Sequence, residues 1–161
     1  MRTVLTSIFA AILFVLGCWT PGDIQENLPR HRNKLPQGTV FFIMKTEPRV
    51  MKTLSDALKA RGFKIGILTN MSSVFGRKFR ATFADFVAVA DAMVISGEVK
   101  LYKPMREIYD LLRERIGLPA EALCFFDDVE ANCAGARAAG WHAIRFATND
   151  QAAADFEALL G

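Results

Sequence analysis

The stretch "CFFDDVEANCAGARAAGWHAIRF", residues 124–146, decides how the rest of the chain is read. It begins with a short apolar run that ends in two adjacent carboxylates, Asp127 and Asp128. An alanine-rich helical segment follows and closes on Gly140, and a second short run, "HAIRF", comes after it. A brief apolar run, a helical segment and another brief apolar run form the pattern of a βαβ unit, in which two parallel strands are joined by a crossover helix.

The same alternation extends upstream. Pro48 suits a first helical position, Val50, Leu54, Ala57 and Leu58 repeat at helical spacing, and Gly62 follows as a stop. The run "FKIGILTN" is then a buried strand with a polar tip. A mixed segment over 74–90 leads to the run "AMVIS", a helix over about 105–116 carries Ile108, Leu111, Leu112 and Ile116, and a last helix covers about 150–160. Strands alternating with helices imply a parallel sheet, here of about five strands in a three-layered α/β domain. The reading is a single domain over 1–161, with a regular core over 46–148 and an atypical segment over 1–45 that holds two apolar runs, "TSIFAAILFVLGC" and "TVFFIM".

Composition narrows the function classes. The chain has 161 residues, 52% of them hydrophobic and 23% charged, which excludes a disordered or low-complexity protein. A net charge of +3 is a mild excess, and the basic residues of "RHRNK" (30–34) and "RGFK" (61–64) form no dense stripe, so no nucleic acid partner is expected. The three cysteines, Cys18, Cys124 and Cys133, have no metal-ligand spacing and suggest neither a zinc site nor a disulfide framework. The body is expected in the cytoplasm. Export or a membrane anchor is the alternative if residues 1–18, which end in "VLGC", act as a leader.

In an open parallel sheet, ligands bind beyond the carboxyl ends of the strands. Those tips carry Thr69 and Asn70, then Ser96 and Gly97 followed by Lys103, then Asp127 and Asp128. A hydroxyl, an amide, a lysine and paired carboxylates are the groups needed to hold a phosphate beside magnesium. The cation takes carboxylate, water and phosphate oxygens, the lysine balances anionic charge, and the hydroxyl donates to a non-bridging oxygen. Each part has a plainer reading: "TN" as a turn, "YKP" as a solvated helix entry, Asp128 as a helix cap. Together they are far more specific than apart.

"GILTN" (66–70), "VISGEVKLYKP" (94–104) and "CFFDDVEANCAGARAAGWHAIRF" (124–146) resemble the second, third and fourth motifs of the haloacid dehalogenase-like (HAD) hydrolases, in family order over about 46–148. The nearest branch is that of small sugar-phosphate phosphatases and haloacid dehalogenases. The resemblance implies a HAD-type sheet and a magnesium-dependent phosphatase of a small phosphorylated metabolite. In it Thr69 and Lys103 act on the phosphoryl group, Thr69, Asn70, Lys103 and Asn132 form the substrate-binding set, with Asn132 at the position that often supports the lysine, and Asp127 and Asp128 hold Mg²⁺ directly or through water. Carboxylates in the fourth motif favour the phosphatase branch.

The first motif departs from the family. There an apolar strand at the centre of the sheet ends in the aspartate that attacks phosphorus, and covalent catalysis requires that carboxylate. Before the first regular helix this chain has only Asp23, Glu26 and Glu47, none directly at the end of an apolar run. "FVLGCWT" (14–20) resembles the motif with Val15 at the nucleophile's place, so residues 8–16 are expected to fill the central strand, with "TVFFIM" (39–44) as the other candidate. Only about thirty residues separate Gly17 from Pro48, too few for a full helical cap, so the cap is read as missing or vestigial. The expectation is a catalytically silent or impaired chain. The alternatives are a non-catalytic pseudoenzyme that binds phosphate and magnesium, a hydrolase using another acid such as Asp23 or Glu47, or a truncated gene product.

Overall fold

The computed structural model describes residues 39–40, 56, 59–60 and 62–160. Five parallel strands form one sheet: β1 (Thr39–Val40), β2 (Ile65–Thr69), β3 (Ala92–Ile95), β4 (Cys124–Asp127) and β5 (His142–Arg145), in the order β3-β2-β1-β4-β5. Between and after them lie α1 (Ser73–Thr82), α2 (Ala84–Val87), α3 (Ser96–Val99), α4 (Arg106–Ile116), α5 (Glu130–Ala138) and α6 (Asn149–Leu160). The mixed segment over 74–90 is thus two helices meeting at Phe83, and Ser96 and Gly97 open a helix of one turn rather than prolonging a strand.

Alternation along the strands builds a core on each face of the sheet. Ile65 and Ile67 of β2 and Cys124 and Phe126 of β4 point to one side, where Phe86 of α2 and Ala152 and Phe156 of α6 cover them. Leu68 and Phe125 point to the other, against Ile108, Tyr109 and Leu112 of α4 and Ala136 of α5. Each fully buried side chain of this size contributes about 1.5–3 kcal/mol, so the three layers are held chiefly by apolar burial. The entry to β2 is also fixed: the Asp91 carboxylate accepts the Ile65 N–H at 2.7 Å and pairs with Lys59 Nζ at 2.7 Å.

The centre of the sheet corrects the expectation for residues 8–16. Thr39 pairs with Ile65 and Val40 with Gly66 on one side, and Val40 pairs with Phe125 on the other. The central place therefore belongs to the start of "TVFFIM", and the assignment of the nucleophile's place to Val15 loses its premise. A sheet can hold only one strand between β2 and β4, and two long apolar runs competed for it. Val15 itself lies outside the described residues, as do Asp23, Glu26 and Glu47. With β1 at Thr39–Val40, positions 41–64 are all that separate it from β2.

Candidate active site

The carboxyl ends of β2 and β4 and the loop after α3 converge. Asn70, just past the tip of β2, makes a two-way bond to that loop: its Nδ2 donates to the Lys103 carbonyl at 3.0 Å, and the Lys103 N–H donates to its Oδ1 at 2.8 Å. Its amide thus clamps the backbone that carries the lysine. Gly97 lets the two loops close, since a Cβ there would stand 2.5 Å from the Ser73 nitrogen and 2.8 Å from the Met71 oxygen.

The clamped loop delivers Lys103 into the interior, 5% exposed. Its Nζ lies 2.6 Å from Asp127 Oδ2 and 5.3 Å from the centre of the Phe125 ring. Asp127, 2% exposed, is fully engaged: its Oδ1 accepts the Val129 N–H and Asn132 Nδ2, each at 2.9 Å. Asn132 therefore orients the carboxylate that holds the lysine. Tyr109, entirely buried, donates its hydroxyl to the Asn132 carbonyl at 2.7 Å and so ties α4 to α5. Gly135 permits the close packing of α5 on this loop, because a Cβ there would meet the Pro104 oxygen at 2.8 Å.

Burial pulls the Lys103 ammonium below the ordinary lysine range even though Asp127 pulls it back up, so desolvation outweighs the ion pair. Burial, then the Asp127 charge, raises the Tyr109 hydroxyl far above its usual value. Cys133 is pushed up to about 11, first by burial and then by Asp127, so it remains a thiol and no nucleophile at neutral pH.

Thr69 is the second buried element of the site. Its residue is wholly buried and its hydroxyl has no hydrogen-bond partner among the described residues. Buried polar groups are nearly always paired, and an unpaired one costs about 1–3 kcal/mol, so an orphan at a strand tip calls for an explanation. Asp128, by contrast, is exposed with its carboxylate in the open. The sequence-predicted residues thus separate into two roles by geometry. Thr69 and Asp128 have uncommitted oxygens, whereas Asn70, Asp127 and Asn132 are bonded within the protein. For magnesium the fit is that of one free carboxylate. Among the described residues no three His, Cys, Asp or Glu side chains gather as ligands, and Mg²⁺ commonly takes only one or two carboxylates alongside phosphate and water.

A cavity of about 530 Å³ opens beside these tips, with Asn70, Ser96, Met71, Leu101, Tyr102 and Lys100 in its wall. Tyr102, 59% exposed, and Lys100, whose φ of 60° makes it the only non-glycine residue with positive φ among the described ones, were not singled out by sequence reasoning. Neither is distinguishable from an ordinary loop residue without knowledge of where the loop turns. Tyr109 was missed because in sequence it is one more large residue on the buried side of a helix.

Known proteins carry the same fold. A sequence pattern for haloacid dehalogenase-like hydrolases matches residues 37–140, beginning just before β1 and leaving out residues 8–16. A phosphatase of Mycobacterium tuberculosis (strain CDC 1551 / Oshkosh) is 30% identical over 96 residues, 60% of this chain and 44% of that protein; the chain spans less than half the length of this curated relative. A crystal structure of an uncharacterized protein from Corynebacterium glutamicum superposes with a TM-score of 0.66 at 24% identity, over 80% of this chain and 96% of that one. A HAD phosphatase from Thermococcus onnurineus superposes with a TM-score of 0.51 at 18% identity, over 62% of this chain and 52% of that one. No helix among the described residues is long and apolar enough to cross a membrane. With the family pattern spanning the sheet from its central strand to the helix after Asp127 and Asp128, the chain belongs to the haloacid dehalogenase-like hydrolases.

Proposed function

We propose that this domain binds a small phosphate ester in the manner of the phosphatase branch and is catalytically silent with the sequence it has. The observation that carries the proposal is the orphaned, buried Thr69 hydroxyl at the tip of β2, one residue before the Asn70 amide that clamps the loop of the desolvated Lys103 ammonium. A tetrahedral oxyanion would accept from both, satisfying a donor that has no protein partner and balancing a cation held in low dielectric. Asp127, Asn70 and Asn132 position the ammonium, while Asp128 would take Mg²⁺ together with water and the phosphate of the ligand. Magnesium bound there supplies further neutralisation of phosphoryl charge.

Silence follows from what comes after β1. The sequence continues Phe41-Phe42-Ile43-Met44-Lys45, and the first acid beyond Val40 is Glu47. Thr69 is four residues on from Ile65, and Ile43 is four on from its partner Thr39, so Ile43→Asp is the substitution that restores a carboxylate to the motif.

Two measurements test the proposal. Inorganic phosphate with magnesium should raise the melting temperature of the wild-type chain, and Thr69→Val should reduce that rise; an unchanged melting curve in wild type refutes binding. Wild type should leave p-nitrophenyl phosphate intact and Ile43→Asp should gain magnesium-dependent hydrolysis. Wild-type turnover that Glu47→Gln abolishes would show a working hydrolase and overturn the silent reading.

A further inference from the structure

The cavity beside the strand tips is asymmetric in chemistry. Its wall combines the apolar side chains of Met71, Leu101 and Tyr102 with the neutral polar groups of Asn70 and Ser96. Among the described residues that line it, Lys100 is the one that carries a charge. Lys100 is exposed and sits in the left-handed region at the C-terminus of α3, with its N–H bonded to the Ser96 carbonyl. A lysine in that conformation costs about 1 kcal/mol that glycine would not, and such positions are concentrated at ligand sites. Asn70 belongs both to the cavity wall and to the clamp on Lys103, so the cavity borders the residue that positions the lysine. At about 530 Å³ it has room for an organic group well beyond a phosphate.

We infer that the ligand is a phosphate ester whose alcohol portion carries a second anionic group, a carboxylate or another phosphate, held by Lys100. A short apolar span would lie on Met71, Leu101 and Tyr102 between the two anions. This inference rests on the reading that Thr69 and Lys103 take the phosphoryl group, and it adds the class of ester. Among the described lining residues a single cation is complementary to a further anionic group, and the apolar side chains that share the wall with it favour carbon over a chain of hydroxyls. Lys100 is thus a specificity-determining residue with no part in the phosphoryl site itself.

The experiment is calorimetric titration of the full chain at low ionic strength with magnesium chloride present, which needs no turnover. The probes are propylphosphonate, 3-phosphonopropionate and propane-1,3-bisphosphonate. Wild type should bind one or both of the probes with an anionic arm about fivefold more tightly than propylphosphonate, the size expected of a partly exposed charge pair. The preferred arm identifies carboxylate or phosphate as the second group. Lys100→Gln should remove the preference and leave propylphosphonate affinity unchanged; Lys100→Gly, which suits a φ of 60°, serves should the glutamine variant fail to fold. Equal affinity of all three probes for wild type overturns this inference while leaving phosphoryl binding intact. Loss of propylphosphonate affinity in the Lys100 variants overturns it too, since Lys100 would then serve the phosphoryl group. Failure of every probe to bind wild type overturns the phosphoryl reading and this one together.

Discussion

Lys103→Met is the most informative single substitution, because it opens a buried ion pair from one side. Both partners are nearly sealed, with side chains 3% and 2% exposed. Removing one charge of such a pair ordinarily costs about 3–5 kcal/mol, since the other is left in low dielectric without a counter-ion. Asp127 keeps the Val129 N–H and the Asn132 amide, so the expected cost is near the lower end, about 3 kcal/mol. Removing both charges in Lys103→Met/Asp127→Asn leaves an amide that still accepts those two bonds through its oxygen, and the residual cost should be about 1–2 kcal/mol, from one unpaired N–H₂. The double variant is therefore expected to be more stable than Lys103→Met alone, with a coupling of at least about 2 kcal/mol. Asp127→Asn alone strands a lysine whose pKa burial has already lowered. Its cost should shrink as pH rises through that lowered value and the ammonium gives up its charge. Urea unfolding of the four proteins across a range of pH measures all of this. A cost below about 1 kcal/mol for Lys103→Met, or additive single-variant costs, would refute the picture of a desolvated, mutually dependent pair.

Three further outcomes are expected. Phosphate affinity should fall with rising pH at values below the ordinary lysine pKa of about 10.4, because the Lys103 ammonium loses its proton early; titration flat up to that value would contradict the direction of its shift. Gly97→Ala should destabilise the chain by about 1–3 kcal/mol in thermal or urea unfolding, since the new methyl meets backbone atoms that cannot rotate away. At Asp91, burial works to raise the carboxyl, but the Lys59 ammonium and the Ile65 N–H outweigh it and hold it below its usual value. Its contribution is therefore fully present above the unfolded carboxyl pKa and lost as pH falls through the lowered folded one, and Asp91→Asn should flatten the acid limb of a stability-versus-pH curve.

Most of the sheet was legible because each strand of the regular core is a short apolar run bounded by a helix of clear period. "FKIGILTN", "AMVIS", "ALCFFDD" and "HAIRF" contain β2, β3, β4 and β5, and the helix placed over about 105–116 is α4. The central strand was misplaced because periodicity says that a run is buried but not which strand it lies beside. "TSIFAAILFVLGC" is the longer of two candidates, yet the pairing goes to Thr39 and Val40. At the site, residue type and spacing brought Thr69, Lys103 and Asp127 to one place. The division of labour was only partly legible: Asn132 stands where the family often supports the lysine, whereas Asn70 read as a group contacting the phosphoryl, and its bond to the Lys103 backbone appears only in the fold.

The pairing of Val40 on both sides also sets an order of events during synthesis. Its partner Gly66 lies 26 positions later, but its other partner, Phe125, lies 85 positions later. The middle of the sheet cannot close until that second neighbour has left the ribosome, and contacts of such long separation are formed slowly because loop entropy must be lost first. Until then neither the tip of β2 nor Lys103 has Asp127 opposite it. Chains arrested before residue 125 should therefore remain open to protease along the first half of the sequence, and protection should arrive in one step once β4 is available.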